Sequence, residues 1–135
     1  MSANDNIKTI QAVYEAFGRG DIPAILDVVS DDVDWGTDTA STAAPWYGIK
    51  HGRAGVMAFF EGFGSTMDVS EFEPVSYAAN DDGEVHAVVR FTTTRRETGA
   101  SASMNLHHWF QLSDGKITFY RGTEDTALTA ALFSD

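Results

Sequence analysis

Apolar residues at Ile7, Ile10, Tyr14 and Phe17 recur at i, i+3, i+7 and i+10, so they fall on one stripe of a helix. Asn4 or Asp5 can cap its start, and Gly18 or Gly20 stops it. Asp21 caps a second, shorter helix with Pro23 in its first turn and Ile22, Ile25, Leu26 and Val29 along one face, ending at Ser30-Asp31-Asp32. Val33 and Trp35 alternate with Asp34 in a short strand. The stretch 36–48 then reads as a long loop carrying Asp38, Pro45, Trp46 and Tyr47. Its aromatic rings argue for an ordered, functional loop rather than a disordered one. Val56, Phe59, Phe60 and Phe63 predict a third helix over 52–64 with an aromatic face. From residue 69 the period changes to two. Turn signals at Asn80-Asp81-Asp82-Gly83, Thr98-Gly99 and Ser113-Asp114-Gly115 then divide the chain into strands over 69–79, 84–97, 101–113 and 116–124. A short helix over 126–133 closes the chain. Helices first and an antiparallel meander after them predict one α+β domain over residues 1–135, with a curved sheet that buries one face against the helices.

Composition narrows the function classes. Nine Lys and Arg against twenty Asp and Glu leave a net charge of −11, so a polyphosphate would meet a repulsive field, and neither nucleic acid nor an anionic membrane is expected as a partner. The absence of Cys removes disulfides, thiolate metal sites and thiol nucleophiles together. The longest apolar run, Val56 to Phe60, is five residues against the ~20 that span a bilayer. The N-terminus has neither the basic start nor the apolar core of a signal peptide, so a cytoplasmic location is expected.

The segments Tyr14-Glu15-Ala16-Phe17-Gly18-Arg19-Gly20-Asp21, Asp31-Asp32-Val33-Asp34-Trp35, Trp46-Tyr47-Gly48, Phe59-Phe60, Ser113-Asp114-Gly115-Lys116-Ile117 and Asp125-Thr126-Ala127 stand in a distinctive order. Together they resemble the nuclear-transport-factor-like superfamily, and within it the SnoaL-like, ketosteroid-isomerase-related branch, over essentially the whole chain. The resemblance implies a cone-shaped α+β barrel, a curved antiparallel sheet on three N-terminal helices, whose mouth takes a small, mostly apolar molecule. It also implies frequent dimerisation through the outer sheet face. It implies no single reaction, since the superfamily includes isomerases, dehydratases, epoxide hydrolases, polyketide cyclases and noncatalytic adaptors.

Strand 101–113 is the most informative segment for chemistry. Met104, Leu106, His108, Phe110 and Leu112 share one face, and Ser103, Asn105, His107, Trp109 and Gln111 share the other. His108 in an apolar stripe is either a core histidine satisfied by a neighbour or a functional group. The resemblance puts it where ketosteroid isomerase places the protonated acid of its oxyanion hole. Arg90 shares a strand face with His86, Val88 and Thr92. By resemblance it matches the arginine that flanks the catalytic acid of limonene epoxide hydrolase, although Thr92 stands where that acid would be. Arg90 is thus expected in the same cavity as His108, or else at the surface paired with an acid.

The resemblance also turns Tyr120, Gly122 and Glu124 inward. Gly122 stands where related hydrolases and cyclases carry Asp or Glu, which leaves Glu124 as the substitute carboxylate. By resemblance Asp38 lies within one residue of the general-base position of ketosteroid isomerase; read by itself it is a solvated loop acid, ordinary in a chain this acidic. Tyr14, Trp35, Trp46, Tyr47, Phe60, Met104, Leu106, Phe110 and Tyr120 are the candidate pocket walls, and packing in the core is the plain alternative for Tyr14 and Phe60. The outer face, with His107, Trp109 and Gln111 beside Phe91 and Phe119, is the expected homodimer surface. His51, His86, His107 and His108 lack metal-ligand spacing, and there is neither a phosphate loop nor a nucleophile elbow, so no metal or cofactor is expected. Two readings remain. One is cofactor-free isomerisation, dehydration or cyclisation of a compact carbonyl or carboxylate compound, with His108, Arg90 and Asp38 or Glu124 as machinery. The other is a noncatalytic ligand-binding or dimerisation module of the same fold.

Overall fold

The computed structural model describes residues 1–134. Helix α1 spans Ala3–Gly18 and α2 spans Ile22–Leu26, followed by strand β1 over Val29–Thr37, strand β2 over Gly48–His51 and helix α3 over Gly52–Gly64. Strands β3 (Met67–Ala79), β4 (Glu84–Arg95), β5 (Ser101–Ser113) and β6 (Lys116–Thr123) come next, and α4 covers Thr126–Leu132. The architecture is α+β, as the pattern predicts.

The first helix is capped by Ser2 rather than by Asn4 or Asp5. Ser2 accepts from the Asp5 backbone N–H while Asp5 accepts from the Ser2 N–H, a capping box that satisfies two otherwise free donors. Ile10, Val13, Tyr14 and Ala16 form its buried face. The second helix is shorter than predicted. It ends at Leu26, and Val29, which fits the helical spacing, is instead the first residue of β1. Ile25 and Val29 are both fully buried, so the apolar signal continues while the backbone changes state.

The sheet order is β2-β1-β6-β5-β4-β3. The meander β3 to β6 is antiparallel throughout, but β1 pairs parallel with β6, placing Trp35 opposite Tyr120, so the sheet is mixed and not purely antiparallel as expected. It also does not close into a barrel, because β2 and β3 remain its two edges. Register shifts near Val69 and Pro74 interrupt the β3–β4 ladder, and such irregularities bend a sheet. The predicted loop 36–48 proves shorter, since Gly48–His51 folds back antiparallel on β1. A side chain at Gly36 would collide with the Gly48 carbonyl, so this close approach requires glycine.

The concave face packs on α1 and α3 in one large core that includes Ile10, Val13, Val33, Val56, Val85, Val89, Phe110 and Ile117. A second, smaller cluster of Ala44, Trp46, Tyr47, Met67, Ala102 and Leu132 joins the loop after β1 to α4. On the convex face Trp109 is exposed, stacks on His86 with ring centroids 6.2 Å apart, and meets Phe119 at 4.8 Å. Phe91 does not join them. It is buried and packs against Phe72 and Phe63, on the opposite face from the one expected. No helix among the described residues is long and apolar enough to cross a membrane.

Candidate functional site

The concave face and the helices leave a cavity of about 90 Å³, open at one end. Eleven aromatic side chains line it: Tyr14, Phe17, Trp35, Trp46, Phe59, Phe60, Phe63, Phe72, Phe91, Phe110 and Tyr120. They touch mostly edge to face or tilted, as between Trp35 and Phe59 at 5.9 Å, a geometry that suits the ring quadrupoles.

His108 sits in the floor. Its strand neighbours are small, Ala87 on β4 and Gly122 on β6, which leaves room for the imidazole between them. Nδ1 lies 2.8 Å from the Tyr14 hydroxyl, a buried contact joining residues 94 positions apart. If Nδ1–H donated to Tyr14, the Tyr14 proton would have no acceptor among the described residues. Either direction leaves one donor without a partner among the described residues, but a phenol O–H is the stronger donor and an imidazole nitrogen the stronger acceptor, so Tyr14 O–H donates to Nδ1. The Nε2 atom then carries the imidazole proton. Among the described residues, the side-chain atoms buried without a partner are Asn6 Oδ1, Ser30 Oγ and Trp35 Nε1. Since His108 Nε2 has no hydrogen-bond partner among the described residues and is not one of these, it is open to the cavity. Burial pushes the His108 pKa down from 6.5 to about 3, with a smaller effect from neighbouring His107, so the ring is neutral at physiological pH. Burial pushes the Tyr14 and Tyr120 hydroxyls up, so both stay protonated.

Glu124 sits at the mouth. Its Oε1 accepts from Trp46 Nε1 at 3.0 Å, and its Oε2 accepts from the Tyr47 hydroxyl at 3.0 Å and Thr129 Oγ1 at 2.5 Å. One carboxylate thus ties the aromatic loop, β6 and α4 together. Among the described residues it is also the only charged side chain at the cavity.

Several expected site residues lie elsewhere. Arg90 is exposed on the outer face, between its register partners Glu73 and Asn105, and does not share the cavity with His108. One parity slip misplaces both Arg90 and Phe91, because a shift of one residue turns a strand over. The alternation Val85, Ala87, Val89, Phe91 marks the true inward face and is visible in the sequence. Asp38 is exposed in the loop and does not reach the cavity. Tyr47 and Met104 pack in the cores without lining the cavity, and Tyr47 acts instead through Glu124. Tyr14, Trp35, Trp46, Phe60, Leu106, Phe110 and Tyr120 do line it. Phe17, Phe59, Phe63, Phe72 and Thr37 were not singled out; the first three lie on the helical stripes that mark the core, so a core position and a wall position carry the same signal. His108 is coupled to Tyr14 rather than to Glu124 or Asp38. Among the described residues no three His, Asp or Glu side chains gather as a metal site.

A family model described as SnoaL-like domain matches residues 10–120, which include both Tyr14 and His108. The chain belongs to the SnoaL-like domain family. Solved structures agree on the fold of this SnoaL-like chain. An NTF2-like protein of unknown function from Burkholderia pseudomallei superposes with a TM-score of 0.88 at 24% identity, covering 100% of both chains. TerC, co-crystallised with polyporic acid, gives 0.83 at 25% identity over 97% of this chain and 99% of its own. A candidate polyketide cyclase from Xanthomonas campestris gives 0.80 at 22% identity over 98% of each. No curated protein matches the SnoaL-like chain.

Proposed function

We propose that this SnoaL-like domain binds a compact, mostly apolar organic molecule and holds an acceptor oxygen of it against the floor of the cavity. The observation that carries the reading is the Tyr14–His108 hydrogen bond, which sets an unpartnered Nε2 at the bottom of an aromatic cup. A pocket of apolar walls with few convergent polar groups is the usual form of a small-molecule site. Its volume of about 90 Å³ is smaller than the ~150 Å³ dry cavity known to admit benzene, so the enclosed part of the ligand is no larger than one ring. The co-crystallisation of TerC with polyporic acid supports a small organic ligand in this fold.

A second reading adds acid–base catalysis, such as isomerisation, dehydration or cyclisation, with a neutral His108 polarising the carbonyl and a carboxylate taking the proton. Glu124 favours it as the sole carboxylate lining the cavity among the described residues, and its three hydrogen bonds weigh against it by giving the same group a structural task. One experiment addresses both readings. Single-ring carbonyl and carboxylate compounds are titrated into the protein in deuterated solvent and followed by NMR. Binding predicts shifts at the Trp35 and Trp46 indoles and the His108 ring, weakened in His108→Phe; undisturbed cavity signals across the panel would sink the reading. Accelerated exchange of ketone α-hydrogens, lost in Glu124→Gln, would establish the catalytic version. Exchange at the uncatalysed rate would leave the binding module.

A further inference from the structure

Tyr120, Arg121 and Gly122 alternate along β6, so Tyr120 and Gly122 face the same way, into the cavity. A Cβ built on Gly122 would run into the Tyr120 hydroxyl and stand only 3.0 Å from the Tyr120 Cζ. The tyrosine therefore lies along its own strand, over the next inward position, and can do so only because that position has no side chain. Gly122 is the register partner of His108, so the Tyr120 hydroxyl is delivered beside the imidazole, with the two ring centroids 5.3 Å apart. Its ring is locked at the other end against Trp35 at 4.3 Å and Phe110 at 5.0 Å. The hydroxyl itself has no hydrogen-bond partner among the described residues, yet it is not one of the atoms sealed without a partner, so it opens on the cavity.

Resting on the ligand-binding reading above, we infer that Tyr120 selects the ligand. Its hydroxyl and His108 Nε2–H form a seat of two uncharged donors that takes one neutral acceptor oxygen, that of a ketone, aldehyde or enone, and refuses a carboxylate. Charge is what discriminates. Among the described residues no Lys or Arg lines the cavity, and the one charge there is the anionic Glu124 at the mouth. A bound carboxylate would give up its water for neutral donors alone and would meet a like charge on the way in. A ketone oxygen gives up far less and receives two hydrogen bonds.

The test uses three single-ring probes of similar shape: acetophenone, ethylbenzene and benzoate. Their binding is measured at pH 7 from the Trp35 and Trp46 indole signals in the parent, Tyr120→Phe and Gly122→Ala. Tyr120→Phe keeps the ring packing and removes only the hydroxyl, and a thermal melt of each variant checks that the fold persists. The expected order in the parent is acetophenone over ethylbenzene, with benzoate at least about 30-fold weaker than acetophenone. Tyr120→Phe weakens acetophenone about fivefold, the factor for one neutral hydrogen bond, and leaves ethylbenzene within about twofold. Gly122→Ala displaces the hydroxyl and narrows the gap between acetophenone and ethylbenzene in the same direction. Benzoate binding as well as acetophenone, or Tyr120→Phe leaving acetophenone unchanged, overturns the selection by Tyr120 while ethylbenzene binding keeps the pocket reading intact. Failure of all three probes to bind removes the pocket reading and this inference with it.

Discussion

The floor and the mouth of the cavity both set polar side chains into aromatic walls, and they use them in opposite ways. At the floor burial keeps every group uncharged: His108 is driven down to about 3, and the Tyr14 and Tyr120 hydroxyls are driven up. Among the described residues these groups make only one hydrogen bond, between Tyr14 and His108, so donors remain free for a ligand. At the mouth Glu124 meets three donors from two different segments, the loop after β1 and α4. Its hydrogen bonds are used within the protein and hold the rim in place. The difference teaches that unpartnered neutral groups mark where a ligand goes, whereas a fully engaged charged group marks where the wall is fastened.

The largest effect that tests this contrast comes from the mouth. Glu124→Ala strands Trp46 Nε1 and the Tyr47 hydroxyl, both on buried residues, while Thr129 Oγ1 keeps the Asp125 carbonyl, and should cost about 3 kcal/mol of unfolding free energy at pH 7 by urea titration. A loss below about 0.5 kcal/mol would show that the rim is held by packing alone.

The next effect belongs to the floor and depends on pH. Folded His108 binds a proton only near pH 3, while the unfolded residue binds one at 6.5, so between these values the unfolded state carries the extra proton. The contribution of His108 is constant above about pH 6.5 and is lost as pH falls towards 3, by up to about 1.4 kcal/mol per unit. In His108→Gln this dependence disappears, so the variant should gain on the parent as the solution is acidified from pH 6.5 to 4.5. Parallel stability curves for the two proteins would mean that the imidazole is not held neutral. The smallest effect is Tyr14→Phe, which removes one buried hydrogen bond and should cost about 1 kcal/mol. Nitrogen-15 spectra of the His108 ring should then show loss of the single Nε2–H tautomer; an unchanged tautomer would break the assigned direction of the bond.

How much of this was legible varies by residue. The α1 and α3 stripes, the β5 extents and the inward parity of His108 follow from local periodicity, which a chain carries in its residue order. The parity of β4 was equally legible in Val85, Ala87, Val89 and Phe91, yet the likeness of Arg90 to a catalytic arginine pointed the other way, and the alternation proved right. The end of α2 was not legible. Val29 satisfies a helical stripe and a buried strand alike, and what decides between them is the parallel pairing with β6, nearly ninety residues later.

The sequence by itself determined the α+β class, the aromatic character of the inner face, the absence of thiol chemistry and the place of His108 on the concave side, because each depends on composition or on a period of two or 3.6. Only the tertiary structure decided which partners meet: Tyr14 rather than an acid against His108, Glu124 under Trp46 and Tyr47, and the Tyr120 hydroxyl in the space left by Gly122. Residues 77, 78 and 94 positions apart make those hydrogen bonds. Strand register, bulges and the parallel β1–β6 pairing bring them within 3 Å or so, and none of these leaves a local trace in the order of residues.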